Sequence, residues 1–186
     1  MIREATPADV AGMLGIYAYY VKETAVSFEY EVPTEEEFTR RLEEHKEMYP
    51  WLVWEEDGEI LGYAYAGRAF ERAAYSWNAE ISCYLKVKGT GMGRKLYGII
   101  EEILRLQGVR KVYAVVTSAN EPSVAFHKAV GYTDVLTYRE VGYKKGQWYD
   151  VIWLEKQLCP LGNPETFPVT WKNEKIQKFL KKALDK

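Results

Sequence analysis

The chain predicts a mixed α/β (α+β) fold in which one sheet of about seven strands is flanked by helices. Three observations carry this. Strand-like and helix-like hydrophobic periods alternate through the first 158 residues. The pairs Asp57-Gly58 and Lys145-Gly146 sit between extended segments as hairpin turns do. Gly89, Gly91 and Gly93 separate a strand-like run from an amphipathic helix. The order reads β-α-α-β-β-β-α-β-α-β-β, followed by one more helix.

Taken in order, Ile2 and Arg3 end a short opening strand. Thr6 then serves as N-cap with Pro7 at the first helical position, and Val10, Met13, Leu14, Tyr17 and Val21 follow at helical spacing. "KETAVSFEYEVP" breaks that period and reads as a loop with some extended backbone. Thr34, with Glu37 completing a capping box, opens a second helix that ends near His45. "WLVWEEDGEILGYAYAGRAF" is a hairpin, and "YSWNAEISCYL" is a third strand leading into the glycines. The helix from about Gly91 to Gln107 closes at Gly108. "KVYAVV" suits a buried central strand. "NEPSVAFHKAVGY" is a helix with Pro122 in its first turn, closed at Gly131, and residues 133–143 and 147–157 form the last hairpin.

Residues 1–158 are thus expected to form the domain and 159–186 a linker with a helical tail. The proline-rich "PLGNPETFPVTW" suggests a linker or a surface-hugging segment. In the final helix Ile176, Phe179, Leu180 and Leu184 fall on one side.

Bulk properties narrow the function classes. The 186 residues are 47% hydrophobic and 28% charged, which is ordinary for a soluble globular protein. A net charge of −2 advertises no nucleic-acid partner. Two cysteines make neither a disulfide framework nor a metal site, so no metal is expected. No apolar run reaches ~18 residues, and the N-terminus is charged too early for a signal peptide. A cytoplasmic protein without a membrane partner is expected. Fifteen Tyr and six Trp suit a pocket or an interface.

The glycines matter because a helix N-terminus leaves backbone N–H groups unpaired and carries roughly half a positive charge. Glycines before it remove Cβ atoms and let the backbone close around a phosphate. A flexible strand-to-helix turn explains such a cluster equally on its own. The P-loop pattern fails here, because no Ser or Thr follows a Gly-Lys pair. The dinucleotide pattern fails too, since the third glycine comes one residue early.

Lys88-x-x-Gly91-x-Gly93 resembles the [RQ]-x-x-G-x-[GA] pyrophosphate loop of the GNAT family of N-acetyltransferases, with Lys88 where Arg or Gln is usual. "RAAYSWNAE" (72–80), "NEPSVAFHKAVGY" (120–132) and "KKGQWYDVIWLEKQL" (144–158) are similar to the branch acting on phosphinothricin and methionine sulfoximine. The resemblance covers residues 1–158. It implies the GNAT fold, acetyl-CoA as co-substrate, a homodimer, and direct acetyl transfer to a small amino-acid-like amine. The "LKVK" segment is shorter than in those relatives and lacks their proline.

The resemblance implies roles residue by residue. Lys88, Gly89, Thr90, Gly91, Met92, Gly93 and Arg94 would hold the diphosphate, while Asn120 and Ser123 would touch the pantetheine. A backbone amide near Cys83 or Tyr84 would face the thioester. Glu80 would act as the base, since an ammonium has no lone pair. His127 would sit at the sulfur and return a proton. Phe28, Glu29, Arg72 and Tyr75 would line the acceptor site, with Arg72 suited to a carboxylate. Without the resemblance, Glu80 is a strand glutamate facing solvent or pairing with Arg72, Arg72 is a surface ion pair, and His127 is a structural helix histidine. Asn120 then is a helix cap. Cys83 has no basic partner nearby in sequence and reads as a small core residue. Other acceptors (an aminoglycoside, a polyamine or a protein N-terminus) and a non-catalytic acetyl-CoA-binding module are the alternatives.

Overall fold

A computed structural model describes residues 1–184. Seven strands form one sheet in the order β1-β2-β3-β4-β5-β7-β6. They are β1 (Ile2–Glu4), β2 (Trp51–Glu56), β3 (Glu59–Arg68), β4 (Asn78–Leu85), β5 (Lys111–Thr117), β6 (Thr133–Lys144) and β7 (Gln147–Gln157). The helices are α1 (Val10–Glu23), α2 (Glu35–Met48), α3 (Met92–Gln107), α4 (Glu121–Ala129) and α5 (Glu174–Leu184). The mixed α/β expectation with an extra C-terminal helix holds.

Local chemistry sets most boundaries. Asp57 and Gly58 turn β2 into β3 with φ of 49° and 81°, and Lys145 and Gly146 turn β6 into β7 with φ of 50° and 83°. Helix α3 buries Leu96, Ile100, Ile103 and Leu104 and ends at Gly108, whose φ of 98° suits only a residue without a Cβ. Thr34 Oγ accepts from the Glu37 N–H at 3.1 Å, but the Glu37 carboxylate turns to Arg40 and Arg41 instead of completing the capping box. Helix α2 runs past His45 to Met48. The start of the first helix differs too: Pro7–Asp9 is a tight 3-10 turn in front of α1. Residues Ala73–Tyr75 likewise form a 3-10 turn, so β4 starts only at Asn78.

The sheet has a core on each face. Helices α1 and α2 cover one side, burying Met13, Tyr17, Phe38, Leu42, Trp51 and Tyr63 together. Helix α3 covers the other, with Leu52, Ala64, Ile81, Val112 and Leu154 beneath it. The tail joins this second core. Trp171 is 1% exposed and its Nε1 donates to Lys46 O at 2.9 Å, while Ile176 and Leu180 of α5 pack in the same cluster. The buried Gln107 amide ties Met48 O and Val169 O, both at 2.8 Å. The tail is therefore anchored by a fully buried tryptophan, which a proline-rich composition conceals.

One feature of the sheet positions the site. All neighbouring strands are antiparallel except β4 and β5, and these two pair only at Asn78–Glu80 with Lys111–Tyr113. Beyond Glu80 they diverge, leaving Ile81–Leu85 and Ala114–Thr117 on the two sides of a gap.

Candidate active site

The ladder dictates what β4 presents to the gap. Lys86 N–H donates to Leu61 O at 2.8 Å, and antiparallel pairing alternates from there. Tyr84, Ser82 and Glu80 thus exchange backbone bonds with β3, whereas Leu85, Cys83 and Ile81 turn theirs toward β5. Two tyrosines replace the missing strand. Tyr97 of α3 reaches Ile81 O at 3.3 Å, and the Tyr20 hydroxyl of α1 donates to Leu85 O at 2.7 Å. Cys83 lies between them, so of the two amides expected here it is Cys83, not Tyr84, whose N–H faces the gap.

A cleft of about 230 Å³ opens at this place, lined by Tyr20, Val26, Cys83, Lys88, Asn120 and His127 among others. At its mouth Gly89 and Gly91 adopt φ of 80° and 81°, the left-handed region that glycine alone enters freely. The first bond of α3 closes from Lys95 N–H to Gly91 O at 3.2 Å, so the amides of Met92, Gly93 and Arg94 have no partner one turn back. No heavy atom lies within 4 Å of where a Cβ would stand on Gly89 or Gly91. This is an open, bare-backbone cradle at a positive helix end, and it fits a diphosphate. Lys88 Nζ lies 5.6 Å over the Tyr20 ring, while Thr90 and Arg94 are exposed beside the loop. The Met92 side chain is buried, so only its amide faces outward.

Glu80 and His127 stand on opposite faces of the sheet. Glu80 shares its face with Tyr65, Ser82 and Tyr84; burial pushes its carboxyl up to about 7. It forms no ion pair with Arg72. His127, 4% exposed, comes from α4 on the side of α3. Its Nδ1 lies 2.7 Å from Ser123 O, a carbonyl that can only accept, so Nδ1 carries the proton. Nε2 faces the Tyr97 hydroxyl at 2.7 Å. Burial lowers the His127 pKa against the opposing effect of Ser123 O, which favours the neutral ring.

Several expected residues assemble here and others do not. Asn120 and Ser123 line the gap with Thr117 and His127. The Asn120 side chain makes no capping bond, so it is free for a ligand. Cys83 has its thiol pushed up to about 12 by burial, the opposite of an activated nucleophile. Glu29 is held by Arg41 at 2.6 Å, and the Phe28 ring sits 6.4 Å from that of Tyr149. The Arg72 side chain is exposed with no hydrogen-bond partner among the described residues, and the Tyr75 ring lies tilted against Phe70 beside Arg68 in a separate hollow. Tyr20, Val26, Tyr97 and Phe126 line the cleft unannounced by the sequence, because a tyrosine on a buried helical stripe looks like core.

Among the described residues no group of three or more His, Cys, Asp or Glu is placed to hold a metal ion, and no helix is long and apolar enough to cross a membrane. A split pair of parallel strands, an amide left open on one of them and a phosphate cradle next door define an acyl-CoA-dependent transferase. The family profile described as an acetyltransferase (GNAT) domain matches residues 2–153, and the chain belongs to that family: it is an N-acetyltransferase using acetyl-CoA.

The chain is 38% identical over 172 residues to a phosphinothricin N-acetyltransferase of Streptomyces viridochromogenes, covering 91% of this chain and 94% of that one. It is 31% identical to an L-methionine sulfoximine/L-methionine sulfone acetyltransferase of Salmonella typhimurium, covering 88% and 98%. The crystal structure of a phosphinothricin acetyltransferase from Sinorhizobium meliloti in complex with AcCoA superposes with a TM-score of 0.84 at 28% identity, covering 94% of this chain and 96% of that one.

Proposed function

We propose that the enzyme acetylates the α-amine of a small amino acid of the phosphinothricin, methionine sulfoximine or methionine sulfone type, by direct transfer in a ternary complex. The observation that carries the transfer is the placement of a half-buried Glu80 and the open Cys83 amide on one strand where β4 and β5 part. The names of the relatives support the acceptor class.

Acetyl-CoA supplies an acyl group on a good leaving thiolate. Glu80, directly or through water, takes the proton of the acceptor ammonium and so frees its lone pair. The Cys83 N–H donates to the carbonyl oxygen as negative charge grows on it, a preorganised donor of the kind worth ~2.7–4 kcal/mol of barrier. When the C–S bond breaks, the sulfur receives a proton. His127 Nε2 faces Tyr97; burial keeps the ring mostly neutral, and its minor protonated form passes the Nε2 proton to the Tyr97 oxygen while the Tyr97 O–H proton goes to sulfur. His127 ends neutral, with Nδ1–H still on Ser123 O. Tyr97→Phe cuts this route and is expected to lower kcat about tenfold or more, with acetyl-CoA binding intact. Unchanged kcat would remove both residues from the proton path.

A cytoplasmic homodimer completes the reading. Cytoplasmic acetyl-CoA is the supply such an enzyme needs. On the β6–β7 hairpin Tyr138, Val141, Tyr143 and Trp148 are exposed, Tyr143 and Trp148 as cross-strand partners on one face, the aromatic composition of an interface. A coupled thiol-release assay over a panel of amines tests the acceptor, and sedimentation tests the assembly. Turnover is expected with methionine sulfone and not with spermidine, from a species of twice the 21.6 kDa chain mass. Turnover restricted to cationic amines would overturn the acceptor class, and a single species at the chain mass would overturn the dimer.

A further inference from the structure

The connection between α1 and α2 bounds the gap on the Glu80 side. Its Val26 reaches the cavity, and it carries Phe28 and Glu29. It has no helix or strand between Thr24 and Thr34, so its shape must be imposed from outside. Strand β6 imposes it. Lys144, 4% exposed, donates to Val21 O at 2.7 Å and to Ser27 O at 2.6 Å. The first is a carbonyl of the last turn of α1, where a cation is favoured. The second lies in the connection itself. The Phe28 ring rests on Gly142, where a Cβ would come within 2.1 Å of it. The Tyr30 hydroxyl donates to Tyr143 O. Ser27 extends the lock, with its Oγ 2.8 Å from the Tyr17 hydroxyl and accepting from Glu29 N–H at 3.2 Å.

A buried ammonium is a demanding way to hold a loop. Lys144 has no carboxylate within ion-pair distance among the described residues, and burial lowers its pKa while Glu29 opposes that shift. A methionine would fill the same volume without that demand. What the ammonium adds is direction: it fixes two carbonyls from different elements at one point.

We propose that Lys144 is a positioning residue for acceptor recognition: from β6 it sets the 24–29 connection so that Val26 meets the gap and Phe28 and Glu29 stand over the acceptor. The proposal rests on the reading of this connection as an acceptor wall. It predicts that acceptor affinity depends on a side chain in contact with neither substrate.

The test compares wild type, Lys144→Met, Lys144→Arg and Gly142→Ala, the last disturbing Phe28 without touching the ammonium. Methionine sulfone KM, kcat, acetyl-CoA affinity by calorimetry, and the rate of chymotryptic cleavage at Phe28 and Tyr30 are measured. Lys144→Met and Gly142→Ala are expected to raise the acceptor KM about tenfold or more, with kcat changed only a few-fold and acetyl-CoA affinity within about twofold. Cleavage at Phe28 and Tyr30 should quicken in both, and Lys144→Arg should restore part of each effect. Faster cleavage with an unchanged acceptor KM would overturn the proposal, because a loosened connection would then not matter to the acceptor. Slow cleavage in Lys144→Met, or an equal loss of acetyl-CoA affinity, would overturn it as well. If Lys144→Met does not fold, the KM of Gly142→Ala decides. Wild-type protein that acetylates no amino acid refutes the acceptor reading itself, and the cleavage rates still tell whether Lys144 holds the connection.

Discussion

Glu80→Gln is expected to lower kcat by ~10²–10⁴ at neutral pH while acetyl-CoA binds as before. Glutamine keeps the shape and removes the base. The carboxyl is raised from 4.5 to about 7 by burial alone, which matches its basicity to a neutral pH. In wild type, kcat/KM should therefore rise as pH increases through about 7 and flatten above it. The same burial makes an opposite claim on stability. Between 4.5 and about 7 the folded state binds the Glu80 proton and the unfolded state has lost it. The contribution of this group is thus complete below the unfolded pKa and is lost as pH rises through the folded one. A shift of this size corresponds to ~3 kcal/mol above pH 7, so Glu80→Gln should melt higher than wild type at pH 8. A variant that loses activity and gains stability marks a group buried for chemistry. Undiminished turnover in Glu80→Gln would take the base role from this residue.

Gly91→Val is expected to weaken acetyl-CoA binding by about ten- to hundredfold, read by calorimetry. Gly91 has φ of 81°, where a residue with a Cβ loses ~1–2 kcal/mol and a β-branched one more. Relief of that strain would swing the Met92, Gly93 and Arg94 amides off a common point. Protein atoms do not forbid the side chain, since none lies within 4 Å of its Cβ. The space is clear on the side where a diphosphate would approach, so a valine would occupy ligand volume. Equal affinity in Gly91→Val would reduce the loop to a turn.

Much of the fold was legible because its signals are local. Gly58, Gly91, Gly108 and Gly146 all sit at positive φ, at the turns and helix ends their neighbours suggested. The apolar stripe of α3 matches its buried side. Helix α2 runs three residues past His45 to a local stop signal: Pro50 holds Tyr49 in extended backbone, with φ of −120° and ψ of 154°. The tail is legible in part: residues 160–167 run exposed, and Ile176 and Leu180 of α5 are buried on the side their spacing predicts. Three prolines speak for a surface path, but Trp171 finds a site between Lys46 and α5 that no local pattern encodes.

For the site, the sequence by itself determined the cradle, the strand carrying Glu80 and the helix carrying His127, because glycines, caps and periods act over a few residues. The tertiary structure alone decided that β4 and β5 part after Glu80, that Cys83 is the amide left open, that the Tyr97 hydroxyl meets His127 Nε2, and that Lys144 ties the 24–29 connection to α1. Each of these joins residues far apart in the chain, from 16 for Tyr97 and Ile81 to 117 for Lys144 and Ser27. Contacts of that separation exist only after the sheet has formed, so they leave no local pattern to read.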